Sequence, residues 1–113
     1  MANSASVKLV VFVPVSHADK VREAIGKAGA GKIGNYDFCS FSTSGIGRFR
    51  GNEKSQPAIG SAGKYESVEE ERIEAVVARD LLKKVIAAIK LVHPYEEIAF
   101  DIYPLEELGS LIV

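Results

Sequence analysis

Seven consecutive residues, Val7 to Val13 (VKLVVFV), are apolar at six positions and rich in β-branched side chains. Such a run offers water no polar face, so it fits a strand buried on both sides and excludes a half-exposed strand at this place. A chain that begins this way must pack the rest of itself, or another copy, around its first element. At 113 residues it has material for one domain and little more.

The remainder of the chain supplies those covering elements. Val13 precedes Pro14 and is held extended, after which Ser16-His17-Ala18-Asp19 has the shape of a capping box with Asp in place of Glu. Ala18, Val21, Ile25 and Ala28 recur at helical spacing, and Gly29 closes this helix by offering a left-handed cap. Tyr36 to Thr43 (YDFCSFST) is aromatic-rich and predicts a second strand. From Gly45 to Ser67 the sequence holds five glycines and a proline, which predicts a loop of a length that points to function. A third strand is expected over about Glu69 to Ala78. Asp80 is placed to cap a second helix with Leu82, Val85, Ile86, Ile89 and Val92 on its apolar stripe, stopped by Pro94. Ile98, Phe100 and Ile102 alternate with Ala99, Asp101 and Tyr103 in a last strand.

The two halves echo each other. Lys20-Val21-x-x-Ala24-Ile25 recurs 64 residues later as Lys84-Val85-x-x-Ala88-Ile89, and the same register lays Val11-Phe12-Val13 over Ala75-Val76-Val77. A ferredoxin-like βαββαβ sandwich of the α+β class satisfies this order, with an antiparallel sheet and two helices on one face. It would span 7–105, between a disordered tail over 1–6 and a second tail over 106–113. The helix-free face would lie against water, which strand one does not suit, so a partner subunit is expected there.

Fourteen Lys and Arg against fifteen Asp and Glu leave a net charge of −1, and no basic block exists to neutralise a phosphate backbone. A nucleic-acid partner is therefore not expected. The same strand order serves RNA-recognition domains, but VKLVVFV and RIEAVVA lack their base-stacking aromatics. No apolar stretch approaches the ~20 residues of a membrane span, and residues 1–6 lack the plan of a secretory signal. A single Cys39 permits no intrachain disulfide, so a cytoplasmic protein without a membrane partner is expected.

Chemistry concentrates in two places. His93-Pro94-Tyr95-Glu96-Glu97 brings an imidazole, a phenol and two carboxylates to a helix-to-strand corner, a donor set suited to zinc or copper. His93, Glu96 and Glu97 are the candidate ligands; Cys39 and His17 could complete the set. The competing reading makes His93 a helix-terminal residue on the dipole, Tyr95 a packing residue and the glutamates a solvated turn. The second place is Gly45-Ile46-Gly47-Arg48-Phe49-Arg50-Gly51, where permissive backbone sits beside two guanidinium groups. Gly45, Gly47, Arg48 and Arg50 are candidates for an anionic ligand, although neither a P-loop nor a Rossmann pattern is present. The acidic run Glu66, Glu69, Glu70, Glu71 and Glu74 reads as the polar side of an edge strand.

Taken together, Gly31-Lys32-Ile33-Gly34-Asn35-Tyr36-Asp37, Cys39-Ser40-Phe41, Gly45-x-Gly47-x-Phe49, Gln56-Pro57-x-Ile59-Gly60 and His93-Pro94-Tyr95-Glu96-Glu97 resemble the PII-like or CutA-like domain inserted in Nif-three-like proteins and also found standing alone. The resemblance runs from about Val7 to Leu105. It departs at Ile98, where proline is usual, and at Phe100, where tyrosine is frequent. What it implies is a homotrimer whose subunit clefts bind a small molecule or divalent cation, without catalysis of its own. The paired metal of Nif-three-like proteins belongs to a separate core absent from this chain, so a cyclohydrolase activity is not implied. Two other readings stay open: a metal-dependent hydrolase built from Cys39, His17, His93, Glu96 or Glu97, and an assembly module acting through its sheet.

Overall fold

A computed structural model describes residues 5–106. The elements are β1 (Ser6–Pro14), α1 (Val15–Lys27), β2 (Phe41–Arg50), β3 (Tyr65–Ala78), a 3-10 turn at Arg79–Leu81, α2 (Leu82–Val92) and β4 (Phe100–Pro104). The strands form one sheet in the order β2-β3-β1-β4, with every neighbouring pair antiparallel. This is the ferredoxin-like α+β sandwich. The tails expected over 1–6 and 106–113 fall outside the described residues except at their inner ends, where Ser6 already pairs with Ala78.

β1 lies in the centre, as its sequence demands. Val7, Leu9, Val11 and Val13 alternate onto the helix-covered face, where they meet Ile73, Ala75 and Val77 of β3 and Val21, Ile25, Val85 and Ile89 of the helices. Each fully buried Val, Leu or Ile contributes about 1.5–3 kcal/mol by leaving water, so this layer carries most of the fold. The opposite face needs no second chain to shield Val10, which is 0% exposed. Lys8 and Arg72 both reach Glu74, at 3.8 Å and 3.2 Å, and the Arg72 guanidinium lies 5.8 Å from the Phe12 ring. Long side chains laid along the strands cover the valine.

Several boundaries differ from the sequence expectation. The second strand begins at Phe41 rather than Tyr36, because Gly34 and Phe38 both take left-handed backbone (φ 57° and 56°) and break any extended run. The Phe38 ring instead fills the space beside Gly26 of α1, where a Cβ would overlap it. The expected loop over Gly45–Ser67 is strand at both ends: Gly45 pairs with Glu70 and Arg50 with Tyr65. Neither expected helix cap forms. The capping positions are Pro14 and Leu81, without side-chain bonds, while Asp19 turns to Arg22 and Asp80 lies inside the 3-10 turn. Gly29 does follow the end of α1 with φ 107°.

The β2–β3 hairpin gives the molecule its outline. Fourteen residues of β3 run roughly 45 Å at strand rise, and the long axis of the molecule is 53 Å against 29 and 23 Å across. The far half of the hairpin has no helix beneath it.

Candidate functional site

Where β3 passes the end of α2, three segments distant in sequence surround a cavity of about 330 Å³. One wall is the end of β2, Gly47 to Gly51; a second is the connecting loop at Ser55 and Pro57–Ile59; the third is the corner Tyr95–Glu97. Phe12 and Glu70 lie at its inner side.

The corner is fixed from within. α2 ends when His93 turns extended (φ −79°, ψ 134°) ahead of Pro94. Its Nε2–H donates to the Phe12 carbonyl at 2.7 Å, and its Nδ1 accepts the Tyr95 N–H at 3.1 Å. Both ring nitrogens are thereby used, and this pair of bonds selects the neutral Nε2–H tautomer. Burial lowers the His93 pKa from its ordinary value, with the nearby His17 acting in the same direction and the Phe12 carbonyl and Glu70 opposing it. His93 is 8% exposed and sits behind the cavity wall, where it holds the corner to β1.

Tyr95 is the next link. Its ring packs edge-on against Phe49 at 5.6 Å, and its hydroxyl donates to Glu70 Oε2 at 2.7 Å. Burial first, and the Glu70 carboxylate second, hold the phenol protonated well above the usual tyrosine range. Glu70 is itself 8% exposed. Its Oε1 occupies the space over Gly47 that a Cβ would take, so the glycine is what admits this carboxylate to the sheet face.

The outer wall is closed by backbone. The Gln56 N–H donates to both carboxylate oxygens of Glu96, each at 3.0 Å, which ties the loop to the corner. Within the loop, Ser55 Oγ donates to the Asn52 carbonyl at 2.8 Å, and the Gly63 N–H reaches the Gly51 carbonyl at 2.6 Å.

Five of the expected site residues thus meet at one cavity: Gly47, Arg48, Arg50, Glu96 and Glu97. Strand alternation sets Arg48 and Arg50 on the other side of β2 from Gly47 and Phe49, and both are exposed at the rim. The Arg50 guanidinium lies 5.4 Å from the Tyr65 ring. Gly45 is outside this wall, with open space beside its Cα. Cys39 precedes β2, bonded through its N–H to the Gly31 carbonyl at 2.9 Å, and is not part of the wall. His17 lies in the first turn of α1, bonded to Ser16. Among the described residues, no three His, Cys, Asp or Glu side chains converge as a metal site would require. Sequence reasoning missed Glu70, Phe12 and Phe49. Glu70 carries no local signal, being the middle one of three consecutive acids.

No protein-family model matches the chain. A GTP cyclohydrolase 1 type 2 homolog from Halalkalibacterium halodurans is 51% identical over 105 residues, covering 93% of this chain and 28% of that protein. The homolog of the same name from Bacillus subtilis is 48% identical over 100 residues, covering 88% and 27%. The chain therefore spans a little over a quarter of the curated relatives it matches. Among solved structures, a Bacillus cereus protein related to NIF3 superposes with a TM-score of 0.77 at 47% identity, over 95% of this chain and 27% of that one. The periplasmic divalent cation tolerance protein CutA from Archaeoglobus fulgidus superposes with a TM-score of 0.66 at 14% identity, over 90% of this chain and 85% of that one, which shows the same fold.

Proposed function

Taking the chain as a PII/CutA-like domain homologous to the one carried by NIF3-related proteins, we propose that it is a homotrimeric cytoplasmic binding or regulatory domain. It takes a small ligand with an anionic group at the cavity bounded by Gly47–Gly51, Ser55–Ile59 and Tyr95–Glu97, and it catalyses nothing itself. The observation that carries this reading is the convergence at one cavity of the glycine-arginine strand and the His-Pro-Tyr-Glu-Glu corner. Arg48 and Arg50 at the rim supply donors for a carboxylate or phosphate. The cation reading has less support, because both nitrogens of His93 are engaged and Glu96 is bonded to Gln56.

The oligomer is proposed from the hairpin. β2 is an edge strand, and Phe41 and Ile46 on it are 68% and 51% exposed. Unpaired ladder groups beside exposed apolar side chains favour association with another copy.

Light scattering and a thermal-shift series with inorganic phosphate, benzoate, zinc and copper test these points. The expected result is the mass of three chains, with a rise in Tm for at least one anion that Arg48→Ala with Arg50→Ala abolishes. A monomeric mass, with no anion moving Tm, would overturn the reading. Retained zinc or copper after chelation would restore the cation reading.

A further inference from the structure

The Glu70 carboxylate is nine-tenths buried, yet no cation answers it among the described residues. Lys8 and Arg72, the cations on its face of the sheet, both go to Glu74. Arg22, on the helix side, goes to Glu71 and Asp19. His93 is close, but burial lowers its pKa and its Nδ1 already accepts the Tyr95 N–H. The one partner of Glu70 among the described hydrogen bonds is the Tyr95 hydroxyl on Oε2, which leaves Oε1 beside Gly47 at the cavity. No buried side-chain oxygen lacks a partner among the described residues, so Oε1 is open to the cavity, and a mostly buried carboxylate with one neutral donor and one open oxygen suits a positive group there. The neighbouring walls point the same way. The Phe49 and Tyr95 rings line the cavity, an aromatic surface that suits a cation, and Glu97 adds a further carboxylate.

We propose that Glu70 is the recognition group for a nitrogen cation, so that the ligand of this cavity is zwitterionic. An ammonium or amidinium end sits on Glu70 Oε1 among the aromatic rings, and the anionic end lies out at the rim, where Arg48 and Arg50 flank the edge of β2. Gly47 leaves the room for this contact, and Tyr95 positions the carboxylate. The assignment rests on the cavity being a ligand site, as proposed above, and it names the class of ligand.

Three probes of one shape separate the two claims: 4-(aminomethyl)benzoate carries both charges, 4-methylbenzoate only the anion, and benzylamine only the cation. Titrations of the full chain would follow the backbone NMR resonances of Gly47, Phe49 and Tyr95. The zwitterion is expected to bind at least tenfold more tightly than 4-methylbenzoate. In Glu70→Gln that preference falls below twofold, while the affinity for 4-methylbenzoate is kept or improved. Equal affinity of the wild-type chain for the zwitterion and 4-methylbenzoate overturns the assignment and leaves the cavity reading standing. An unchanged preference in a folded Glu70→Gln overturns it as well. Three probes that leave those resonances unmoved overturn both claims.

Discussion

The Tyr95 hydroxyl donates to Glu70 Oε2 at 2.7 Å and so joins the corner after α2 to the middle of β3, 25 residues away in sequence. This bond does two things at once. It satisfies half of a buried carboxylate, and it sets the distance between the aromatic wall and the glycine strand. Tyr95→Phe removes the donor without changing the ring, so Glu70 Oε2 is left buried and unpaired. Loss of a hydrogen bond to a charged group costs about 1.5–3 kcal/mol. Urea unfolding of Tyr95→Phe, Glu70→Gln and the double variant is expected to return a coupling energy of about 2 kcal/mol; additive losses would show that the pair does not act as a unit.

The burial of His93 makes stability depend on pH in a defined direction. Its pKa in the folded chain is lowered, chiefly by burial, from the value of about 6.5 that an unfolded chain would show. Its contribution is fully present above that unfolded value. As pH falls through it, the unfolded chain binds a proton that the folded imidazole refuses, and stability declines until the lower folded value is passed. Protonation at Nδ1 would also set two N–H groups of His93 and Tyr95 against each other. Stability measured from pH 7.5 down to 5 is expected to fall more steeply in the wild-type chain than in His93→Gln, which lacks this titration. Parallel curves would remove the assignment.

The fold was legible because its signals are local and periodic. The double-sided apolar run of β1 and the helical spacing of Val21–Ile25 and Val85–Ile89 require only neighbours in sequence to be seen. Boundaries were lost where one residue type served an unexpected end. Glycine at 45 and 47 suggested a loop, yet these glycines sit in a strand, and Gly47 makes room for a carboxylate from the next strand. The aromatics at Tyr36 and Phe38 suggested a strand, but Phe38 packs on Gly26 from a left-handed position. The candidate site was half legible for the same reason. Its glycine-arginine and His-Pro-Tyr-Glu-Glu segments are recognisable one at a time, whereas Glu70 gains its burial only from register with β2 and reach from Tyr95.

That distinction between two glycines can be measured. A Cβ at Gly47 would overlap Glu70 Oε1, while one at Gly45 meets nothing within 4 Å, and neither residue has positive φ. Gly47→Ala must displace the carboxylate or the strand, a cost of about 1–3 kcal/mol for an overpacked site. Gly45→Ala removes unfolded-state freedom at an unstrained position and is expected to be neutral or stabilising by up to about 1 kcal/mol. Chemical denaturation of the two variants checks the contrast. Equal effects would mean that Glu70 moves aside without penalty and that Gly47 is not the residue that admits it.

The edge strand supplies the last test. Ile46 and Phe41 stand half or more exposed on opposite faces of β2, and the strand bonds to β3 along one side only. Neither residue belongs to the central core, so a charge at either position removes little from a single chain. In an assembly formed along this edge, the same charge would have to be buried without a partner, which is far more costly. Ile46→Lys and Phe41→Asp are therefore expected to convert the proposed trimer to a monomer in light scattering while leaving the far-ultraviolet circular dichroism spectrum unchanged. A trimer that survives both substitutions would place its interface elsewhere on the sheet, with the covered Val10 face between β3 and β4 as the remaining surface to probe.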